Sequence, residues 1–317
     1  SFDDGRQFRE VLDKIEQKIF AISQENLQRN FVSMKEILAE SFDRLDELQK
    51  KGSSGIRGVP TGFSSLDNVL AGMQDSNLLI LAARPGIGKT AMILNIALYV
   101  ASHEKMPVGI FSLEMSQEEL GDRLLVAQAD IDAWKLRSGR LEDEDLDKLQ
   151  DAMGMLAEAP IFIDDTPGIN IMEMRTKARR LQMEKGMKLL IVDYLQLMDS
   201  GRHYDNRVQE VSIVSQALKN MARELKIPVV AVSQLSRAVE TRGTKIPQLA
   251  DLRESGSIEQ DADVVMFLYR TDEEITDATK IPTKLLIAKH RNGALGEFDF
   301  TFVGPKLRFF LQDTKRG

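Results

Sequence analysis

The chain has 317 residues, and its 42 Lys and Arg residues against 49 Asp and Glu residues leave a formal net charge of −7. The absence of cysteine excludes a disulfide scaffold, a thiolate metal site and a cysteine nucleophile, and the 3 histidines show no metal-ligand spacing, which argues against a zinc enzyme. The apolar fraction of 43% favours one large α/β domain with a small appendage, and no apolar run approaches the ~18 residues of a membrane span. Because no signal-peptide pattern is present either, the predicted compartment is the cytoplasm and no membrane partner is expected.

Apolar residues in the first fifty positions recur at three- and four-residue steps, which predicts two amphipathic helices. Ser33 is placed to cap the second helix, and Ile37 and Phe42 lie on its apolar stripe. Two alternatives stay open for these helices: a hairpin that packs on the main domain, or an arm that buries its stripe on another subunit. We assign residues 1–51 to a helical linker region and residues 52–58, which begin Gly-Ser-Ser-Gly, to a flexible linker.

Short apolar runs alternate with helical patterns from residue 59 onward, which is typical of a parallel sheet with crossover helices. Strands are predicted at Leu78–Ala82, Pro107–Leu113, Ile161–Ile163, Leu189–Val192, Val229–Val232, Val264–Leu268, Leu285–Ala288 and Phe298–Val303. Helices are predicted from the loop after the first strand to about Ala101, from a capping box at Ser116 and Glu119, from a second at Asn170 and Glu173 to near Gly186, and over Val208–Leu225. Residues 59–317 are therefore predicted to form an α/β domain whose mostly parallel sheet is flanked by helices and ends in an antiparallel extension.

A Gly-rich segment follows the first predicted strand and opens the helix behind it. It consists of Ala83, Arg84, Pro85, Gly86, Ile87, Gly88, Lys89 and Thr90. Apart from Ala83 in place of the first glycine, it matches the P-loop pattern in the strand–loop–helix context that this motif requires. Glycines let backbone N–H groups surround a phosphate, Lys89 reaches the β- and γ-phosphates, and the Thr90 hydroxyl ligates Mg²⁺. The alternative, a Gly-rich turn that binds nothing, leaves this context unexplained.

A P-loop needs a second ligand for Mg²⁺, and Asp193 is placed to supply it. This aspartate follows the continuous apolar run Leu189–Val192, which predicts a strand buried on both faces. Ligands bind at the carboxyl ends of such strands in open α/β sheets. The alternative is an aspartate that caps a helix or a turn.

Hydrolysis also requires a group that orients the attacking water. Many P-loop ATPases carry a glutamate directly after the magnesium aspartate, but here that residue is Tyr194. Glu114, at the tip of the second predicted strand, is a candidate base, and the alternative is that it stabilises the dipole of the following helix from its first turn. Gln234 ends another predicted strand, where it either hydrogen-bonds the γ-phosphate or is an ordinary polar strand end. The residues by themselves leave both questions open.

Seven strings of residues together resemble the ATPase domain of the bacterial replicative DNA helicases, the DnaB family of hexameric RecA-like motors. They are Thr61–Asp67, Ala83–Thr90, Phe111–Ser116, Asp193–Leu197, Val232–Arg237, Asp251–Asp263 and Lys289–Gly293. The resemblance covers nearly everything from Val59 to Gly304. The P-loop alone indicates an NTPase of any kind, whereas the last two strings are far more specific to this family. The resemblance implies a RecA-like P-loop ATPase core that uses ATP and Mg²⁺.

The resemblance also implies a role for each matching residue of the nucleotide site. Glu114 is expected to be the catalytic base, and Asp193 and Thr90 are expected to ligate Mg²⁺. Gln234 is expected to sense the γ-phosphate. Arg123, on the helix after Glu114, is expected to approach the nucleotide.

Two cations late in the chain, Lys289 and Arg291, match residues that act in trans in this family. The resemblance implies that they reach the γ-phosphate bound to the neighbouring subunit. They lie two residues apart at the end of a predicted strand, so their side chains are expected on the same side. A planar guanidinium stabilises the negative charge that spreads over the γ-phosphate during transfer. Without the resemblance, two solvated cations at a strand end would be the simpler interpretation.

Residues that bind DNA are predicted in two segments. The resemblance implies that Arg253, Glu254 and Gly256 contact the backbone of single-stranded DNA in a central channel. The segment directly after Gln234 carries the cations Arg237, Arg242 and Lys245. Since this segment follows a strand that bears a nucleotide ligand, the phosphate state could move it. No aromatic row accompanies the cations, which favours binding of the backbone over base stacking, and the alternative is an ordinary solvated loop.

The predicted function is a ring-forming, ATP-dependent DNA helicase that moves along single-stranded DNA and unwinds duplex at the replication fork. Its expected partners are single-stranded DNA, further copies of the same chain in a homo-hexamer and, through the full-length protein, primase and a helicase loader. Members of this family carry a preceding helical domain, so this sequence is expected to be part of a longer chain. Two alternatives are a RecA-class recombination or repair ATPase and an ATP-binding ring scaffold that docks primase or a loader.

Overall fold

In the computed structural model, the chain divides into two compact units, Ser1–Gly55 and Ile56–Gly317. The structure describes residues 32–50, 56–198, 207–242, 245–252, 256–270, 277 and 279–312. The first predicted helix therefore lies outside the described residues. The second is present as α1, Met34–Lys50, and Ser33 caps it as predicted. The Glu36 N–H donates to the Ser33 hydroxyl at 3.3 Å, and the Ser33 N–H donates to the Glu36 carboxylate at 3.2 Å.

The second unit is built on a 9-stranded sheet in the order β3-β2-β4-β5-β1-β6-β7-β8-β9. The strands are β1 Leu78–Ala83, β2 Val108–Ser112, β3 Ile161–Asp164, β4 Leu189–Asp193, β5 Val229–Gln234, β6 Val264–Arg270, β7 Lys280–His290, β8 Gly296–Val303 and β9 Arg308–Leu311. The first six strands are parallel, and β7, β8 and β9 are antiparallel to their neighbours. The predicted sheet is confirmed, although β7 is longer than expected and β9 was not predicted.

Helices connect the strands and cover the sheet. They are α2 Ser64–Leu70, α3 Lys89–Ser102, α4 Gln117–Ala129, α5 Ala133–Ser138, α6 Asp143–Glu158, α7 Ile171–Lys185, α8 Arg207–Leu225, α9 Ala238–Thr241 and α10 Gly256–Asp261. The predicted capping box at Ser116 and Glu119 is present with both of its bonds. Asn170 also caps its helix, but Glu173 forms an ion pair with Lys177 at 3.5 Å. Within the described ranges, no helix has the length and apolar character to cross a bilayer.

Alternate residues of β1 pack on opposite faces of the sheet. Leu79 and Leu81 belong to a core cluster that includes residues of α3, while Leu78 and Ile80 belong to a second cluster that includes residues of α8. The central strand is therefore buried on both faces, which explains why its sequence is a continuous apolar run.

The carboxyl ends of four adjacent parallel strands, β2, β4, β5 and β1, lie along one edge of the sheet. The register pairs Ser112 with Asp193 across β2 and β4, and Ala83 with Gln234 across β1 and β5. Residues that follow these strands come from four distant parts of the chain. Because ligands bind at the carboxyl ends of parallel strands, this edge is the candidate site.

Candidate active site

The loop between β1 and α3 has the backbone of a phosphate-binding loop. Gly86 and Gly88 have positive φ values of 76° and 110°, which residues with a Cβ rarely adopt. A Cβ on Gly88 would also lie 2.9 Å from the Phe309 ring, so there are two reasons for glycine at this position. Helix α3 begins at Lys89, so its unpaired N–H groups and the positive end of its dipole lie at the loop.

Lys89 is largely buried in the site, with 10% of its side chain exposed. Its Nζ lies 3.5 Å from Oε2 of Glu114 and 4.1 Å from the centre of the Tyr194 ring. A cation over an aromatic face is attracted to the ring electrons. Tyr194, which stands where many P-loop ATPases carry a glutamate, therefore contacts Lys89.

Thr90 and Asp193 are joined by a hydrogen bond of 2.7 Å from Oγ1 of the threonine to Oδ2 of the aspartate. Asp193 is 3% exposed, and its other oxygen, Oδ1, has no hydrogen-bond partner among the described residues. Burial raises the pKa of Asp193, while the Thr90 hydroxyl and the Lys89 ammonium oppose this rise.

The Thr90–Asp193 pair fits a Mg²⁺ ion. A hydroxyl and a buried carboxylate oxygen without a donor are hard oxygen ligands of the kind that Mg²⁺ prefers. No group of three or more His, Cys, Asp or Glu residues that could hold a metal is present in the described part of the chain.

A short turn after β2 brings Glu114 beside β4. The Ser112 hydroxyl donates to the Met115 carbonyl at 2.6 Å and accepts from the Met115 N–H at 3.3 Å. The Leu113 N–H donates to the Asp193 carbonyl at 2.7 Å. These bonds hold the turn against β4, the strand that ends at Asp193.

Glu114 lies before helix α4 and not within it. The acidic residues of the first turn of α4 are Glu118 and Glu119, so the alternative that Glu114 stabilises the dipole from that turn is wrong. Its side chain is 50% exposed and faces Lys89, which leaves room for a water beside the carboxylate. A carboxylate in this position is suited to act as a general base.

Gln234 ends β5, directly beside the start of the P-loop. The amide of Gln196, in the turn after β4, donates to the Ser233 hydroxyl at 2.8 Å and to the Gln234 carbonyl at 3.4 Å. The carboxyl ends of β4 and β5 are thus joined by side-chain bonds as well as by the sheet. Gln196 was not predicted from the sequence to be part of the site.

The P-loop is bonded to two further segments of the chain. Arg84 donates from Nε to Glu240 Oε1 and from Nη1 to the Leu235 carbonyl, both at 2.8 Å. Arg270, at the end of β6, donates to the Gly86 carbonyl at 2.8 Å. The first contact joins the P-loop to the segment after Gln234, which is the segment of the predicted DNA-binding cations.

Arg123 lies on α4, partly buried, where sequence analysis expects it to approach the nucleotide. It is close enough to the site to oppose the rise in the pKa of Asp193. Of the remaining P-loop residues, Pro85 is exposed and Ile87 is half-buried, with the latter packed at the edge of the core.

The register of the sheet places Lys289 and Arg291 away from the P-loop of their own chain. Ala83, after which the P-loop begins, pairs with Leu268 of β6. Lys289 pairs with Val265 of the same strand, which lies roughly 10 Å back along β6. Because β7 is antiparallel to β6, the chain continues from Lys289 away from the P-loop. Both cations contact the segment Glu259–Asp263.

The first predicted DNA-binding segment is described in part. Arg253 and Glu254 lie outside the described residues. Gly256 is exposed and is the first residue of α10. The position of these residues therefore stays a prediction, with Gly256 on the surface as it requires.

The second predicted DNA-binding segment contains cations in different surroundings. Arg237 is exposed at the start of α9, and Lys245 is exposed as well. Arg242 instead donates to the carboxylate of Asp251, which is 2% exposed. This ion pair stabilises the segment itself, which the sequence analysis did not anticipate.

Residues 58–310 match the family model described as the DnaB-like helicase C terminal domain. The replicative DNA helicase DnaB of Geobacillus stearothermophilus is 48% identical over 301 residues, which are 94% of this chain and 66% of that protein. The replicative DNA helicase DnaC of Bacillus subtilis (strain 168) is 47% identical, over 96% of this chain and 67% of that protein. The chain thus spans about two thirds of the length of these relatives.

Solved structures give the same result. One solved ATPase domain superposes with a TM-score of 0.83 and 36% identity, over 90% of this chain and 100% of that one. A DnaB-like replicative helicase, whose structure was solved together with its interactions with primase, superposes with a TM-score of 0.78 and 34% sequence identity, over 96% of this chain and 76% of that one. The predicted fold class is confirmed, and the two alternative functions are not favoured.

Proposed function

Because this chain belongs to the family of DnaB-like helicase C-terminal domains, we propose that it is the motor of a replicative DNA helicase that assembles as a homo-hexameric ring, moves along single-stranded DNA and unwinds duplex. ATP is hydrolysed with Mg²⁺ at the interface between subunits. The observation that carries this proposal is the bond between Thr90 and Asp193 at the carboxyl ends of the strands, with Lys89 and Glu114 3.5 Å apart in the same site.

The groups of one chain bind the nucleotide and activate water. Lys89 and the P-loop N–H groups bind the β- and γ-phosphates, and Thr90 and Asp193 hold Mg²⁺, which when bound neutralises phosphate charge. Glu114 accepts a proton from the attacking water while the water oxygen forms a bond to the γ-phosphorus. The bond between this phosphorus and the oxygen that bridges to the β-phosphate breaks, which leaves ADP and phosphate. Gln234 contacts the γ-phosphate before hydrolysis and loses this contact afterwards.

Lys289 and Arg291 complete the site of the neighbouring subunit. In their own chain they lie at the end of β7 that is distant from the P-loop. Charge spreads over the γ-phosphate oxygens during transfer, and a rigid guanidinium with several N–H donors stabilises that charge better than water does. Hydrolysis therefore depends on assembly, as a ring motor requires.

The segments that follow the strands of the nucleotide site transmit the change in nucleotide state to the bound DNA. Arg84 of the P-loop bonds to Glu240 and to the Leu235 carbonyl, in the segment with the cations Arg237, Arg242 and Lys245. The phosphate backbone of one strand is bound, without regard to sequence, by Arg237, Lys245, Arg253, Glu254 and Gly256. Arg242 contributes by stabilising the segment through its ion pair with Asp251. Primase and a helicase loader bind the full-length protein.

Assembly and activity are tested together. With oligo-dT and a non-hydrolysable ATP analogue, electron microscopy should show a six-membered ring threaded by one strand. The rate of ATP hydrolysis per chain should rise with protein concentration as rings form, and oligo-dT should raise it further. A dilute protomer that hydrolyses ATP at the rate of the assembled form would contradict a site completed between subunits.

A further inference from the structure

Asp263 is a buried carboxylate, 4% exposed, that the nucleotide site of its own chain does not use. Its Oδ2 accepts a hydrogen bond from the Leu78 N–H at 2.8 Å and one from Nζ of Lys219 at 2.5 Å. Its Oδ1 lies 3.4 Å from Nη1 of Arg291. The backbone N–H of Arg291 also donates to the backbone carbonyl of Asp263 at 2.8 Å. One side chain thus contacts the first residue of β1, helix α8 and the arginine expected to act in trans.

The other contacts of the two trans cations come from the end of α10. Arg291 donates from Nη2 to the Gln260 carbonyl at 3.0 Å. Lys289 donates from Nζ to the Ala262 carbonyl at 2.7 Å and to the Glu259 carbonyl. Cations favour the carboxyl end of a helix, where carbonyl groups lack partners. The Arg291 side chain is nevertheless 51% exposed, and a guanidinium has five N–H donors, so donors are left for a phosphate outside the chain.

Helix α10, whose end lies beside Asp263, begins at Gly256, which is a predicted DNA-binding position. This helix is bonded to α8, the helix that contacts Asp263 through Lys219. The Ser215 hydroxyl of α8 donates to the Asp261 carboxylate of α10. Lys219 of α8 donates to the Ser76 carbonyl at 2.8 Å in addition to its bond to Asp263. A displacement of either helix would therefore shift the Asp263 carboxylate, which contacts Arg291.

We propose that Asp263 is a positioning residue, which orients Arg291 toward the γ-phosphate of the neighbouring subunit and links this orientation through Lys219 to helix α8. The inference rests on the proposed role of Arg291 in trans. The carboxylate is itself fixed by Leu78 in the central strand, so it provides a rigid reference for the guanidinium. A cation stabilises a transition state when it is held in place before the reaction, because misplacement by about 1 Å can cost 10²-fold in rate.

Electrostatics support the same role. Burial lowers the pKa of Lys289, and the nearby charge of Arg291 lowers it further, while Asp263 opposes this effect. Two cations held side by side repel each other, and the buried negative charge offsets that repulsion. Without it, Lys289 and Arg291 would be expected to move apart.

The test replaces Asp263 by asparagine, which keeps its size and an oxygen that can accept from the Leu78 N–H but removes the charge. We expect D263N to lower kcat for ATP about 10- to 100-fold while KM changes less than about twofold, since the nucleotide pocket of the same chain lacks Asp263. Binding of ADP with aluminium fluoride, which resembles the phosphoryl group in transfer, should weaken in parallel with kcat, and binding of ADP alone should stay unchanged. A rate at or above that of the wild type would overturn the proposal.

A double-mutant cycle with Arg291→Ala shows whether Asp263 acts through the arginine. If it does, D263N causes no further loss in the R291A chain, because two residues that act as one unit are not additive. An equal loss in both backgrounds would overturn the proposal. A wild-type rate of R291A alone would instead contradict the proposed function, so the two failures are distinguishable.

Folding is controlled with two more variants. D263N leaves the Lys219 ammonium buried without its carboxylate, and Lys219→Met in the same chain removes that charge. The double variant should regain the thermal stability of the wild type but not its rate of ATP hydrolysis. Recovery of both would show that the role of Asp263 is only structural and would overturn the proposal. Asp145→Asn removes another buried aspartate bonded to a lysine, Lys135 at 2.7 Å, and should keep the wild-type rate. A loss in D145N equal to that in D263N would also count against the proposal.

Discussion

The two ends of the central sheet carry charged residues in different surroundings. At the carboxyl ends of the parallel strands, Lys89 is 10% exposed and contacts Glu114 and Tyr194 of its own chain. At the far end of β7, Arg291 has 51% of its side chain exposed and contacts Asp263 and the end of α10. The first end contains a lysine, acids, a hydroxyl and a Gly-rich loop, while the second presents cations outward.

This difference separates binding from hydrolysis. The first end has all the groups that one chain needs to bind a nucleotide and to hold a water, so affinity for ATP is expected to belong to a single chain. The second end lies away from the P-loop of its own chain, so it is expected to contribute only when a second chain is present. The rate of hydrolysis is therefore expected to depend on groups from two adjacent chains.

The largest effect is expected for Arg291→Ala. Loss of the guanidinium should lower kcat about 10³- to 10⁵-fold in the assembled protein, while the affinity of the chain for ATP should not change. The matched control is Arg308→Ala, a half-buried arginine of the antiparallel strands that pairs with Asp130 at 3.5 Å. ATP turnover and titration with a fluorescent ATP analogue measure the two quantities.

Mixing extends this prediction to the ring. R291A subunits added to wild type should depress activity by more than their fraction, because each defective chain also stops its neighbour. A strictly proportional loss would mean that each subunit works alone.

A somewhat smaller effect is expected for Glu114→Ala, which changes the other end of the sheet. Removal of the general base should lower kcat about 10²- to 10⁴-fold while nucleotide binding is spared. Glu118→Ala, in the first turn of α4, is the matched control and should retain the wild-type rate. Full turnover by the Glu114 variant would remove this residue from the role of base.

The smallest effect is expected for Glu240→Gln, which breaks the ion pair between the P-loop and the segment after β5. The pair joins Arg84 to a glutamate that is 58% exposed, and exposed pairs are worth about 0–1 kcal/mol. We expect stimulation of ATP hydrolysis by single-stranded DNA to fall by up to about fivefold, with the DNA-free rate unchanged. Glu184→Gln, which breaks an exposed pair with Arg180 at 2.7 Å, is the control. Equal behaviour of the two variants would show that the Arg84 pair does not transmit the DNA signal.

Elements with strong local signals were predicted well. The strands at the centre of the sheet are apolar without interruption because they are buried on both faces. The P-loop was found because its glycines, lysine and threonine lie close together in the sequence, between Gly86 and Thr90, directly after an apolar strand. Helix α6 was missed because the acidic run from Glu142 to Asp151 was not interpreted as a helix, although three acids in a first turn are typical of a helix start.

Several contacts between residues that are distant in the chain were not predicted. Tyr194 lies against Lys89, and Gln196 bonds to the end of β5. The same holds for Asp263, which pairs with Lys219 and contacts Arg291. Such contacts depend on which strands are neighbours in the sheet, and that order does not follow the order of the chain.

The sequence by itself determined the class of the fold, the phosphate-binding loop and the residue types available for chemistry, because these depend on local spacing and on alternating burial. The tertiary structure decided which of these residues share a site and which face away from it. The reason is the sheet order: β2, β4, β5 and β1 are adjacent and parallel, so Glu114, Asp193 and Gln234 meet with the P-loop at one edge. The antiparallel course of β7 carries Lys289 and Arg291 toward the opposite ends of the strands. There Arg291 contacts Asp263 with 51% of its side chain exposed, and Lys289 bonds to the carbonyls of Glu259 and Ala262.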